Sequence, residues 1–129
     1  DHYEPCTQYS GTLVVVHGMS PKGKQDPRVS ALCCALSKVG YRVIAPEIDS
    51  IKQLIICPSQ IAIIADILQV IANDELITPS GHLGLLAPSF SGAMCLAAAA
   101  ATAEAVANFL RNSLLTQCKH NIISQYKTA

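Results

Sequence analysis

The residues best suited to chemistry lie in one short stretch, from Gly84 to Ala93 (GLLAPSFSGA). An apolar run typical of a strand ends there in a corner of small residues, and an alanine-rich segment typical of a helix follows. A serine at such a corner can present its hydroxyl as a nucleophile, usually within the pattern G-x-S-x-G. In this chain Ala87 and Ser91 occupy the positions of the two glycines around Ser89. The alternative is an ordinary β-to-α turn in which Ser89 or Ser91 caps the helix.

A second stretch with chemical potential is Gly18 to Gln25 (GMSPKGKQ), which fits G-x-x-x-x-G-K between a strand and a helix. That is the setting of a phosphate-binding P-loop. The residue after the lysine should be Ser or Thr to hold Mg²⁺, and it is Gln25. The pair Asp26-Pro27 also starts the predicted helix later than a P-loop would. Nucleotide binding is therefore the less favoured alternative.

The elements that must position these residues alternate along the chain. Three apolar, strand-like runs each precede a segment of helical character, and a β-α-β-α-β-α order predicts an α/β fold. We expect a parallel sheet with right-handed crossovers and helices on both faces, in three layers. The predicted strands are 12–17, 41–45 and 82–86, and the predicted helices are 27–39, 58–73 and 91–110. They form the core, 11–110, of a single domain spanning 1–129, with a lead-in at 1–10 and a basic tail at 111–129, in which a further helix is predicted near 113–124.

Composition excludes several classes of protein. Half of the residues are hydrophobic and 14% are charged, which indicates a folded domain. The formal net charge is zero and aromatics make up 5%, so we expect no nucleic-acid partner. Prolines and glycines interrupt the uncharged stretch 76–103, so we expect no membrane span. Six cysteines without metal-site spacing predict no metal or cofactor and favour a reducing, cytoplasmic location, with one disulfide left open as an alternative.

Two further segments add to the evidence from the serine corner. His17-Gly18-Met19 ends the first predicted strand, and Gly40 to Pro46 (GYRVIAP) forms a second glycine-to-proline strand motif. Together with the corner at 84–93, and in this order, they resemble the N-terminal half of the α/β-hydrolase family over roughly residues 11–100. The resemblance implies a truncated α/β-hydrolase core and a serine hydrolase acting on small ester-type substrates.

The resemblance also implies a role for each matching residue. Ser89 would be the nucleophile. The backbone N–H groups of Met19 and Phe90 would form the oxyanion hole that stabilises the developing negative charge. His17 and Gly18 would shape the loop that carries Met19, and His17 would not be the catalytic base.

The family pattern is incomplete after the serine. In that family an Asp or Glu and then a His follow the nucleophile on later strands. Here only Glu104 and His120 follow, and neither comes after a strand-like run. The catalytic acid and base are thus unidentified. The chain starts at Asp1, and we expect it to be a processed or partial product. By itself it should be inactive or nearly so. The alternative is a non-catalytic α/β interaction module or remnant. Without the missing strands one edge of the sheet is exposed, which predicts self-association.

Overall fold

The computed structural model describes residues 1–117, with side chains described as far as residue 103. Four short strands form one sheet in the order β1-β3-β2-β4. Strand β1 is antiparallel to β3, whereas β2 pairs in parallel with both β3 and β4. The protein is therefore mixed α/β with a mixed sheet. The strands are β1 (His2–Tyr3), β2 (Gly11–Val15), β3 (Tyr41–Ile44) and β4 (Leu83–Leu86).

Helices follow each of the parallel strands, as the sequence predicted. The first begins where its capping signal lies: the Asp26 side chain accepts a hydrogen bond from the Arg28 amide, and Pro27 is the first helical residue. It ends before Gly40, whose φ of +103° suits a glycine after a helix. The helices are α1 (Pro27–Lys38), α2 (Asp49–Lys52), α3 (Ser59–Asn73) and α4 (Phe90–Gln117), with a 3₁₀ turn at Gly23–Gln25 before α1.

Strand β1, which lies in the lead-in at 1–10, corrects the prediction of an all-parallel sheet. His2 pairs with Ile44 and Tyr3 with Val43 at the outer edge of the sheet. The α-amino group of Asp1 donates to the Ala45 carbonyl at 2.8 Å. A two-residue strand has no hydrophobic period of its own, so the pairing partner, not the local sequence, creates it.

Helix α4 is longer than predicted. The sequence suggested a helix ending near residue 110 and a separate one near 113–124, but α4 continues without a break to Gln117. No glycine or proline occurs after Gly92, so nothing in the sequence ends the helix at 110. The predicted basic tail therefore begins inside α4, and its part from residue 118 lies outside the described residues.

Two apolar clusters hold the helices against the sheet. Val14 and Val16 pack with buried residues of α3 and α4, whereas Val15 packs with buried residues of β3 and α1. Because Val14 and Val15 are neighbours on β2, their side chains point to opposite sides of the sheet. Helix α1 therefore covers one side of β2, and α3 and α4 cover the other. This arrangement leaves the carboxyl ends of β2 and β4 side by side.

Candidate functional site

Ser89 lies at the corner between β4 and α4, which are separated by three residues. Its φ is +58°, in the left-handed region. It is exposed, and its hydroxyl makes no hydrogen bond with any described residue. A non-glycine residue in this conformation costs about 1–2 kcal/mol. Strain of this kind concentrates at functional sites, where the surrounding structure imposes it.

Small residues make the corner tight. The Gly92 amide donates to the Ser89 carbonyl at 3.0 Å, and a Cβ on Gly92 would lie 3.0 Å from the Ala87 carbonyl oxygen. Ser91 is fully buried, and its hydroxyl donates to the Pro88 carbonyl at 2.6 Å. Within the described residues no backbone N–H donates to either serine hydroxyl, so neither serine is a conventional N-cap. The helix-capping alternative therefore does not explain why Ser89 is held in this conformation.

His17 fastens the loop that follows β2. The side chain is fully buried, and its Nε2 accepts the Ile48 amide at 3.1 Å. Its Nδ1 therefore carries the proton, and it faces the Gly18 carbonyl at 3.0 Å. Both ring nitrogens are occupied, so His17 supports the loop and has no lone pair left for a substrate.

The loop after β2 lies against the serine corner. A Cβ on Gly18 would lie 3.7 Å from Cγ of Pro88, which is ordinary contact distance. Met19 and Ser89 line the same cavity. The backbone N–H groups of Met19 and Phe90 donate to no acceptor among residues 1–117. Each of these two amides therefore remains available as a hydrogen-bond donor.

The cavity has a volume of about 360 Å³ and is lined by the Gly18–Ser20 loop, the serine corner and the first turns of α1. This size lies within the range of small-ligand sites. His17 and Phe90 do not line it. Its apolar side chains are Val15, Met19, Val29, Leu32 and Pro88, and its polar ones are Ser20, Asp26, Arg28 and Ser89.

Asp26 anchors the polar side of the cavity. Arg28 donates to Oδ1 from Nε at 3.0 Å and to Oδ2 from Nη2 at 2.8 Å, and the Ser20 hydroxyl donates to Oδ2 at 3.1 Å. The side-chain hydrogen bonds from Arg28 hold the pKa of Asp26 well below its usual range. The same contact raises the pKa of Arg28. This ion pair is therefore fully charged at neutral pH.

Two carboxylates of the chain itself, those of Glu47 and Asp1, contact Lys24 in the loop that resembles a P-loop. The Lys24 amide donates to Glu47 Oε2 at 3.2 Å, and the Lys24 ammonium lies 3.0 Å from Asp1 Oδ1. A Cβ on Gly23 would overlap the Glu47 carboxylate. A phosphate bound here would compete with Glu47 for the loop amide, which weakens the P-loop alternative.

Glu47 itself is charged at neutral pH. Burial would raise its pKa, but the hydrogen bonds from Lys52 and from the Lys24 amide outweigh burial and lower it.

The residues that follow Ser89 in the sequence and could act as acid or base are Glu104 and His120. Glu104 falls within α4, not in a loop after a strand. His120 lies outside the described residues. Of the other histidines, His2 is on β1 and His82 directly precedes β4. No described residue other than Asp26 brings a carboxylate into the cavity.

Metal and membrane sites have no support in the described part of the chain. No cluster of three or more His, Cys, Asp or Glu side chains occurs there. None of the helices searched there combines the length and the apolarity needed to cross a bilayer. The five described cysteines are free thiols, of which Cys33 and Cys95 are buried.

Comparisons with known proteins identify no relative, since no protein-family model, no curated protein and no solved structure matches the chain. The site therefore has to be interpreted from its own geometry. Sequence reasoning named Ser89, Gly18 and Met19, which the structure brings to one cavity. It missed Arg28, although the run Asp26-Pro27-Arg28 carried a signal: an N-cap carboxylate two residues before a guanidinium.

Proposed function

We propose that this chain carries the nucleophile half of a serine acyl-hydrolase site of the α/β-hydrolase type, with a three-layer core. The observation that carries the proposal is the left-handed, exposed Ser89 at a strand-to-helix corner, in one cavity with Met19. Helices on opposite sides of β2 support the layered core. Ser89 Oγ would attack an ester carbonyl, and the Met19 and Phe90 amides would stabilise the resulting oxyanion.

The described residues supply no general base for Ser89. A serine hydroxyl without a base is a weak nucleophile at neutral pH. We therefore infer slow acylation by the isolated chain, with the strained, exposed position of Ser89 still directing reaction to that serine. A base from outside the described residues would complete the site.

A fluorophosphonate probe with added imidazole tests this. Intact mass and peptide mapping would follow labelling of each serine with and without imidazole as a soluble base. We expect slow labelling confined to Ser89, accelerated by imidazole and absent in Ser89→Ala. Ser91→Ala is the matched control, because Ser91 is buried and bonded to Pro88, and it should leave the labelling rate within about twofold.

Three outcomes would contradict the proposal. Equal labelling of Ser89 and of the exposed Ser80 would show that the corner gives no special reactivity. Imidazole without effect would show that a missing base is not the limitation. Rapid stoichiometric labelling without imidazole would refute the claim that the isolated chain lacks a base.

A non-catalytic α/β interaction module is the second candidate. The observation that favours it is the lack of a described base together with β4, which lies at the end of the sheet with one neighbour. This candidate predicts binding partners and no selective serine reactivity, so the labelling experiment separates the two.

A further inference from the structure

Arg28 is one of the residues that line the cavity beside Ser89. We propose that this cavity binds acyl groups whose far end is a carboxylate, with Arg28 as the residue that recognises it. The inference rests on the proposed function because it names the substrate class of the same site. The substrates would be esters of short dicarboxylic acids, attacked at one end and held at the other.

Arg28 is held in one orientation while part of its guanidinium stays free. Nε and Nη2 are engaged by Asp26, which is 5% exposed and is itself fixed by Ser20 and by the Arg28 amide. Nη1 makes no hydrogen bond with any described residue, and the Arg28 side chain is 86% exposed. A guanidinium held by one carboxylate keeps donors on its outer edge for a second one.

An apolar surface belongs to the same cavity as Arg28 and Ser89. Val29 follows Arg28 on α1, and Leu32 lies one turn further along. Leu32 is 37% exposed, so part of its side chain is accessible from the cavity. With Val15, these side chains give an acyl chain an apolar surface within a cavity of about 360 Å³.

The chemistry of the anchor favours a carboxylate over a neutral polar end. Arg28 offers only donors, so it matches a group that has only acceptors. A guanidinium and a carboxylate can also form two parallel N–H···O bonds, which add geometric specificity as well as energy. Asp26 offsets the charge of Arg28, so the preference comes from directed hydrogen bonds more than from long-range attraction.

Binding can be measured without any chemistry at Ser89. In the Ser89→Ala chain, nuclear magnetic resonance titration with monomethyl adipate and with methyl hexanoate compares two methyl esters of six-carbon acids that differ only in the far-end carboxylate. We expect monomethyl adipate to bind roughly three- to tenfold more tightly, a modest factor because the guanidinium is exposed to solvent. Arg28→Gln should abolish the difference, and Arg28→Lys should keep part of it. Lys38→Gln, which removes one positive charge at the far end of α1, is the matched control and should change nothing.

Acylation gives an independent measurement. The unsubstituted chain, with imidazole, is treated with the monoaryl ester of adipic acid or with the aryl ester of hexanoic acid, and the adduct is followed by mass. In each reaction Oγ bonds to the acyl carbon, the aryl oxide leaves, and imidazole accepts the hydroxyl proton. We expect faster acylation by the adipate ester, with the preference lost in Arg28→Gln.

The two measurements separate the two proposals. Tighter binding of monomethyl adipate than of methyl hexanoate, without reaction at Ser89, would support the Arg28 subsite and refute the hydrolase proposal. Acylation of Ser89 at equal rates by both aryl esters, with equal binding of both methyl esters, would overturn the subsite and leave the hydrolase proposal standing. If Arg28→Gln does not fold, the comparison of the two ligands on the Ser89→Ala chain still decides.

Discussion

Replacing Ser89 with glycine should stabilise the protein, whereas replacing it with alanine should not. Ser89 holds φ at +58°, which costs a non-glycine residue about 1–2 kcal/mol and glycine almost nothing. Glycine loses about 0.5–1 kcal/mol through the greater freedom of the unfolded chain. The hydroxyl has no partner among the described residues, so its loss has no cost. The net expectation is a gain of between zero and about 1.5 kcal/mol for Ser89→Gly and almost no change for Ser89→Ala.

Two further variants calibrate this number on the same chain. Leu54 also has a left-handed φ, +62°, and it directly follows Gln53, the C-cap of α2. The Leu54 amide donates to the Ile51 carbonyl, and the amide of the next residue donates to the Ser50 carbonyl. This pair of hydrogen bonds commonly ends helices that have glycine at this position. Leu54→Gly should therefore relieve a similar strain and raise the free energy of unfolding. The loss of the half-exposed leucine side chain should offset part of this gain. Ser30→Gly, inside α1, should instead lose about 0.5–1 kcal/mol.

Urea unfolding followed by far-ultraviolet circular dichroism measures these differences, since the chain has no tryptophan. When the slope of the free energy of unfolding against urea concentration is the same for parent and variant, the difference between their midpoints gives the difference between their free energies of unfolding. A stability of Ser89→Gly below that of the parent by as much as Ser30→Gly would refute the reasoning. It would mean that the backbone at Ser89 is not strained, and the corner would lose its main claim to be a functional site.

Further predictions concern the rest of the structure. Gly23→Ala should cost roughly 1–2 kcal/mol in urea unfolding, because φ is +54° and the Glu47 carboxylate would have to move. The pKa of Glu47 is lowered in the folded protein, so the charged carboxylate should stabilise the fold above the pH at which unfolded glutamates titrate. This stabilisation should be lost as pH falls through the folded pKa. Glu47→Gln should therefore make the free energy of unfolding fall less steeply in acid. Burial raises the pKa of Cys95 to about 11, so iodoacetamide should modify the exposed Cys34 first and Cys95 only on unfolding, as mapped by mass spectrometry. Self-association through β4 should increase with concentration in light scattering and decrease in Leu86→Lys, and a clean monomer at high concentration would contradict it.

The sequence predicted best those features that are encoded locally. Asp26-Pro27 and Gly40 mark the ends of α1 correctly because capping depends on adjacent residues. The strand, serine and helix around Ser89 were predicted for the same reason. Strand β1 was missed because two residues acquire strand structure only through pairing with β3. The Arg28–Asp26 pair was missed as part of the site because only folding brings the start of α1 beside the serine corner.

The position of Ser89 restricts where a catalytic base can come from. It lies just past the carboxyl end of β4, and parallel strands end at the same edge of a sheet. His82 precedes β4 and so lies at the opposite edge, while both nitrogens of His17 are occupied. His2 is near the correct edge, opposite Ile44, but β1 is three strand positions from β4, about 14 Å at about 4.8 Å per strand. A base must lie within hydrogen-bond reach of the hydroxyl. Among the described side chains, therefore, no histidine is placed to serve Ser89 as a base, and the hydrolase proposal requires a base delivered to the edge where β2 and β4 end.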